Sequence, residues 1–265
     1  MDLIEFKNVS KHFRRDGQDF ATLSDINLTV GEREFVAIVG PSGCGKTTCL
    51  RMVAGFEPPS SGTVSVGGRP VGGPGPDRAV VFQQFALFPW KTVWENIAFG
   101  LRNRGAAPDV IQATVRRYIG LMGLGGYETA FPHQLSGGMQ QRVAIARAYA
   151  LDPSVLLMDE PFGALDAQTR VAMQEELVRL ARSNPRCVLF ITHAVEEAVY
   201  LADRVAIMTR RPGRIKEIID VWPVREREGW DRLERIEDVM EQEAFIELRT
   251  HIWAQLRQEK LPAAA

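Results

Sequence analysis

The chain has 265 residues, 45% of them hydrophobic, enough to bury the interior of one large domain or of a core with an appendage. Its 32 basic and 33 acidic residues leave a net charge of −1, so no global field attracts nucleic acid or an anionic membrane. No nucleic-acid partner is therefore expected, and any partner must be recognised locally. The start, Met1-Asp2-Leu3-Ile4-Glu5, lacks the basic-then-apolar pattern of a signal peptide. No apolar run approaches the roughly 20 residues that span a bilayer, so a soluble, cytoplasmic chain is expected. Cys44, Cys49 and Cys187 are odd in number and include no C-x-x-C pair, which suits a reducing compartment and argues against a disulfide framework or a cysteine metal site.

Along the chain, Ile4 to Val9 and Asp25 to Val30 alternate apolar with polar, punctuated by Gly17 and Gly31, and predict an antiparallel strand layer. Phe35-Val36-Ala37-Ile38-Val39 reads as a buried strand. It runs directly into Gly40-Pro41-Ser42-Gly43-Cys44-Gly45-Lys46-Thr47, which fits G-x-x-x-x-G-K-[ST] at every fixed position. Glycines let successive backbone N–H groups point at phosphates, and the helix that follows adds its positive end. Lys46 then meets the β/γ oxygens, and Thr47 offers a hydroxyl to a phosphate-bound Mg²⁺. Thr48 begins the continuation into the helix. Cys44 fills a free position of the motif, where oxidation or alkylation would block nucleotide. A Gly-rich turn without a ligand is the alternative, and the strand before and helix after argue against it.

Further strands are predicted at Gly62 to Val66 and Arg78 to Phe82, separated by the turn-rich run Gly67 to Pro76. From Val93 to about Met122 apolar residues recur at helical spacing, with Pro108 near a helix start, and predict a helical insertion. Ser136 stands where a helix cap belongs, ahead of a packable run to Ala150. Val155 to Met158 and Cys187 to Ile191 are short apolar runs flanking the helical stretch Ala167 to Arg182, as a parallel α/β sheet requires. After about Arg210 an apolar stripe on a charged background (Leu233, Ile236, Val239, Met240, Phe245, Leu248, Ile252, Leu256) predicts amphipathic helices that cap the core or meet a second subunit.

The strand from Val155 ends in Asp159-Glu160, at the carboxyl end where α/β sheets place their ligand chemistry. Asp159 is expected to hold the Mg²⁺ and Glu160 to polarise the attacking water as general base. Helix capping is the bland alternative for such a pair, and the phosphate loop supplies the matching half of a site.

Between these two motifs lies Leu135-Ser136-Gly137-Gly138-Met139-Gln140-Gln141-Arg142, which resembles the signature motif of ABC-type ATPases with Met139 in place of the usual glutamine. The phosphate is expected to meet the Ser136 hydroxyl and the Gly137-Gly138 backbone, so Met139 is tolerable. The resemblance covers about residues 3 to 215 with the motifs in the family's order. It implies an α/β fold: a P-loop NTPase (RecA-like) parallel-sheet core with an N-terminal antiparallel β layer and an inserted α-helical subdomain. The implied segments are 1–90 and 151–210 for the nucleotide-binding core, 91–150 for the helical subdomain and 211–265 for the amphipathic tail.

The resemblance also assigns roles. The nucleotide, ATP, would be bound by Gly40, Pro41, Ser42, Gly43, Cys44, Gly45, Lys46, Thr47 and Thr48, by Ser136, Gly137 and Gly138, and by Phe13 stacked on adenine, with Phe20 as its competitor. Asp166, in Ala164-Leu165-Asp166, falls in the loop that crosses the dimer interface. Thr47, Gln83 and Asp159 would hold Mg²⁺, with Gln84 the lesser candidate beside Gln83. Glu160, His193, Gln83 and Lys46 would carry hydrolysis. His12, His133 and His251 lack such context and read as surface residues.

One phosphate loop and one signature per chain imply a head-to-tail homodimer with two ATP sites. In this family the translocation path belongs to other chains, which implies two integral membrane permease subunits and, indirectly, an extracytoplasmic solute-binding protein, with this chain peripheral at the cytoplasmic face of the inner (plasma) membrane. The aromatic run Phe85 to Val93 fits a permease helix, or equally a buried core. Leu87-Phe88-Pro89-Trp90-Lys91-Thr92-Val93, Met139 and Thr209-Arg210-Arg211-Pro212-Gly213-Arg214-Ile215 together resemble the nitrate, sulfonate and taurine importers, with taurine or an aliphatic sulfonate as first choice and nitrate next. An exporter ATPase and a soluble non-transport ABC-type ATPase are the alternatives.

Overall fold

A computed structural model describes residues 2–15, 18–233 and 235–259. Met1 and the turn glycine Gly17 lie outside them. The chain forms two compact units, residues 1–75 with 186–265, and residues 76–185. The segment boundaries read from the sequence fall elsewhere, at 90/91, 150/151 and 210/211.

In the first unit, β1 (Asp2–Arg15) and β2 (Gln18–Gly31) pair antiparallel along almost their whole length. Ile4, Phe6, Val9, Leu23, Ile26, Leu28 and Val30 are buried while the residues between them face out, the period-two pattern of a sheet with one covered face. Next comes β3 (Phe35–Val39), buried at every position. The chain then turns through the phosphate loop into α1 (Lys46–Ala54), which stops at Gly55 in a left-handed conformation that caps the Arg51 and Met52 carbonyls. Two more strands, β4 (Ser61–Val66) and β5 (Arg69–Pro70), complete a four-stranded sheet in the order β2-β1-β4-β5.

The second unit opens with β6 (Arg78–Val81). In α2 (Val93–Asn103) Thr92 and Glu95 form a reciprocal capping box, and α3 (Pro108–Leu121) carries Pro108 in its first turn. Fully buried Asn96 fastens the preceding loop: its Oδ1 accepts from the Phe88 amide at 2.9 Å, and its Nδ2 donates to the carbonyls of Phe88, Lys91 and Thr92 at 3.2, 3.0 and 3.0 Å. The rest of the unit is α4 (Gly137–Ala150), β7 (Val155–Asp159), parallel to β6, and α5 (Ala167–Ser183).

Back in the first unit, β8 (Cys187–Ile191) leads into α6 (Val195–Leu201), followed by β9 (Arg204–Met208). Both strands pair parallel with β3. Covered on both faces, β3 and β8 have no exposed position to alternate, and their sequences are continuous apolar runs.

The tail departs from the expected all-helical reading. It begins with a strand, β10 (Ile215–Asp220), antiparallel to β9. Its Ile-Lys-Glu-Ile-Ile-Asp sequence carries too few apolar positions in alternation to announce a half-covered edge strand. Three helices follow, α7 (Trp222–Glu228), α8 (Ile236–Met240) and α9 (Glu243–Gln258). Ile236, Val239, Phe245, Ile252 and Leu256 of the stripe are buried, whereas Leu233 is exposed. Buried Arg225 donates to the carbonyls of Val199 and Tyr200, satisfying the last turn of α6, and pairs with Asp231 at 2.9 Å. No helix among the described residues is long and apolar enough to cross a membrane.

Candidate functional site

The phosphate loop of the first unit is built from positions that exclude side chains. Gly43 and Gly45 have φ of 77° and 108°, and a Cβ on Gly45 would lie 2.4 Å from Leu23 Cδ2 of β2. A Cβ on Gly40 would lie 2.9 Å from Cys44 Sγ and 3.0 Å from Met208. The Lys46 ammonium folds back over the loop and donates to the carbonyls of Gly40 at 2.9 Å and Pro41 at 3.2 Å. Thr47 and Thr48 follow in the first turn of α1.

Cys44 is 1% exposed, and its amide donates to Pro41 O at 3.3 Å. Burial pushes its thiol pKa up, against the opposing pull of Lys46. The sequence-based idea of modification at this cysteine is therefore corrected, because the thiol is covered from reagents.

His193 is exposed just beyond β8, at the entry to α6. Its neighbour Thr192 sets the turn: Oγ1 donates to Glu197 Oε2 at 2.5 Å and accepts from the Ala194 amide at 3.0 Å. Phe13 and Phe20, the competitors for adenine, face each other across the β1–β2 ladder, and each is 37% exposed. Lys11 Nζ stands over Phe13 at 4.9 Å, and the Arg211 guanidinium over Phe20 at 5.8 Å. His12, His133 and His251 are exposed, and His251 lies 2.9 Å from Glu217 Oε1.

In the second unit Asp159 ends β7 and Glu160 adopts φ 45°, a left-handed conformation uncommon for a residue other than glycine. The turn is closed by the Gly163 amide donating to Glu160 O at 3.1 Å. A Cβ on Gly163 would lie 3.4 Å from that oxygen and 3.6 Å from Gln83 Nε2, so the Gln83 amide rests against the Glu160 turn. Residues 77 positions apart in sequence are thus brought together, a glutamine beside the strand-end acid.

Ser136 caps α4, its Oγ accepting from the Met139 amide at 3.3 Å. The hydroxyl keeps its own hydrogen as a donor beyond this cap. Gly137 is exposed, while Gly138 is buried against Thr169. Asp166 caps α5 by accepting from the Thr169 amide at 3.0 Å, a bond that holds its carboxyl below the usual carboxylate range. Sequence reasoning missed Thr169, which touches both helix starts and carries no local signal of its own.

Mg²⁺ needs hard oxygen donors and is commonly held by one or two protein groups plus the phosphates. The Thr47 hydroxyl and the Asp159 carboxylate are of that chemistry. Among the described residues no group of three or more His, Cys, Asp and Glu side chains is assembled to hold a metal alone. Each donor by itself is of a chemistry that suits a magnesium ion carried by phosphates.

The chain has counterparts among known proteins. A family model for the ABC transporter matches residues 23–163. An uncharacterised ABC transporter ATP-binding protein of Methanocaldococcus jannaschii is 48% identical over 251 residues, covering 93% of this chain and 94% of the relative. A taurine import ATP-binding protein of Burkholderia pseudomallei is 53% identical over 193 residues, 73% of this chain and 74% of its own length. A nitrate import ATP-binding protein of Synechocystis sp. is 45% identical over 218 residues, 82% of each. Among solved structures, a dimeric ATP-binding cassette in a post-hydrolysis state, bound to ADP and Pi, superposes with a TM-score of 0.72 at 31% identity, covering 83% of this chain and 99% of that one. Together with the mixed α/β fold and its P-loop core, these matches establish that the chain belongs to the ABC transporter family and is an ATP-hydrolysing ABC cassette.

Proposed function

We propose that this cassette powers an importer of small anionic or zwitterionic solutes, taurine or an aliphatic sulfonate first and nitrate second. The observation that carries the reading is the 53% identity to a taurine import ATP-binding protein, with 45% identity to a nitrate import one behind it. ATP binds through Gly40 to Thr48 and stacks on Phe13. Lys46 neutralises phosphate charge, Glu160 takes a proton from the attacking water, and Gln83 and His193 orient water and γ-phosphate. Thr47, Gln83 and Asp159 would hold Mg²⁺, which would supply charge neutralisation at the phosphates.

The working unit in this reading is a homodimer. Ser136, Gly137 and Gly138 of one subunit complete the site of the other, with Asp166 at the crossing. The solved relative's dimeric, ADP- and Pi-bound state supports this arrangement. Two permease subunits form the path and an extracytoplasmic binding protein delivers solute, so the chain works at the cytoplasmic face of the membrane. The docking surface is the Phe85–Val93 segment, where Trp90 is 70% exposed.

Uptake of labelled taurine and of nitrate, in cells lacking the chain and in cells carrying Glu160→Gln, tests the reading. Loss of taurine uptake in both is the expected result. Loss of nitrate uptake alone replaces the solute, and no change in either overturns the importer assignment.

A further inference from the structure

The loop after β9 carries two arginines that ATP hydrolysis as described does not use. It is closed on itself by Thr209 N to Arg214 O at 3.0 Å and Arg214 N to Thr209 Oγ1 at 2.9 Å. It is also sewn to β2: Gly213 N donates to Thr22 O at 2.9 Å, and Ser24 N to Gly213 O at 3.0 Å. Gly213 lies so close beneath the phosphate loop that a Cβ there would fall 2.1 Å from the Cys44 carbonyl oxygen. The loop's place is therefore fixed relative to both β2 and the phosphate loop.

Arg211 reaches from this loop toward the aromatic pair. Its Nη2 donates to Thr22 Oγ1 at 3.0 Å, and its guanidinium covers the Phe20 ring, directly across the ladder from Phe13. Arg210 and Arg211 line a cavity of about 360 Å³ with Pro41, Ser42, Gly43 and Glu259. The carboxylate in that cavity is already engaged, since Glu259 accepts from the Arg210 amide at 3.0 Å and pairs with Lys216 at 3.1 Å. Arg211 thus bridges the rim of the phosphate loop and the aromatic residues beyond it. A guanidinium offers five donors in a plane that also stacks on rings, and Thr22 takes one.

We propose that Arg211 is a nucleotide-binding residue that holds the nucleoside half of ATP, hydrogen-bonding the ribose and base edge while Phe20 backs its plane. The inference rests on the reading that ATP phosphates occupy the Gly40–Thr48 loop. Arg211 is the group that couples base to phosphate loop, and it acts on affinity for nucleosides rather than on phosphate capture.

Calorimetric titration of the full chain with ATP, ADP and inorganic triphosphate separates these roles. Arg211→Ala should weaken ATP and ADP about tenfold, the worth of a hydrogen bond from a charged group, and leave inorganic triphosphate within twofold. Arg211→Lys keeps the charge without the planar fork and should move the same way by a smaller factor, which serves if the alanine variant fails to fold. Gly213→Ala, which displaces the Cys44 carbonyl, should weaken all three ligands. Equal losses of ATP and triphosphate in the Arg211 variants, or no loss of either, would overturn the proposal. Wild-type protein that binds triphosphate but not ATP overturns it as well, and wild type that binds neither overturns the underlying ATP reading.

Discussion

Gly138, the second residue of α4, lies directly against Thr169 of α5: a Cβ on Gly138 would fall 2.3 Å from Thr169 Cγ2. The second signature glycine is thus required by packing as well as by any phosphate contact. Gly138→Ala should lower the unfolding free energy by about 1–3 kcal/mol, the usual cost of overpacking. Deleting the opposing methyl in a Gly138→Ala/Thr169→Ser double variant should restore much of it. Urea unfolding of the four proteins measures the coupling, and strictly additive losses would show that the two groups do not meet.

Thr169 also donates to the Asp166 carboxylate, and this gives an acid dependence of known sign. The folded pKa is depressed, chiefly by the Thr169 amide, below the unfolded value of about 3.9. The bond's contribution is therefore fully present above pH of about 4 and is lost as pH falls through the folded pKa. The stability difference between wild type and Asp166→Ala, measured by urea midpoint, should be constant from neutral pH to about 5 and shrink below about 4. A difference that grows on acidification would refute the cap.

Phe88 and Trp90 are neighbours with different expected phenotypes. Phe88 packs on Phe99 at 4.4 Å and lies under the Arg147 guanidinium, whereas Trp90 stands 70% exposed with its ring 5.8 Å from Phe88. Trp90→Ala should leave thermal stability and basal ATPase near wild type while abolishing solute uptake in cells. Phe88→Ala should lower the melting temperature as well as uptake. Unchanged uptake in Trp90→Ala would remove the segment from the docking surface.

Glu160 has a strained backbone, but its side chain can change without disturbing the turn, because the Gly163 amide is received by the Glu160 carbonyl. Glu160→Gln should keep ATP binding, reduce turnover by about 10²–10⁴, the worth of a general base, and accumulate an ATP-dependent dimer in size-exclusion chromatography. A variant that binds ATP and remains monomeric would count against the head-to-tail dimer.

The chemistry-bearing motifs were legible in the sequence because each is a short-range solution to a local problem. Glycines at Gly43 and Gly45 meet the positive φ of the phosphate loop, Ser136 caps the helix that follows it, and the buried runs ending at Val39 and Asp159 announce strands. What the sequence could not announce depends on residues far apart. The edge strand β10 exists because β9 offers it hydrogen bonds, Phe13 and Phe20 face each other only through the β1–β2 register, and Arg211 meets Thr22 from 189 positions away. Local propensity reads one turn of chain at a time, whereas these contacts follow from closure of the sheet, which no nearby residue encodes.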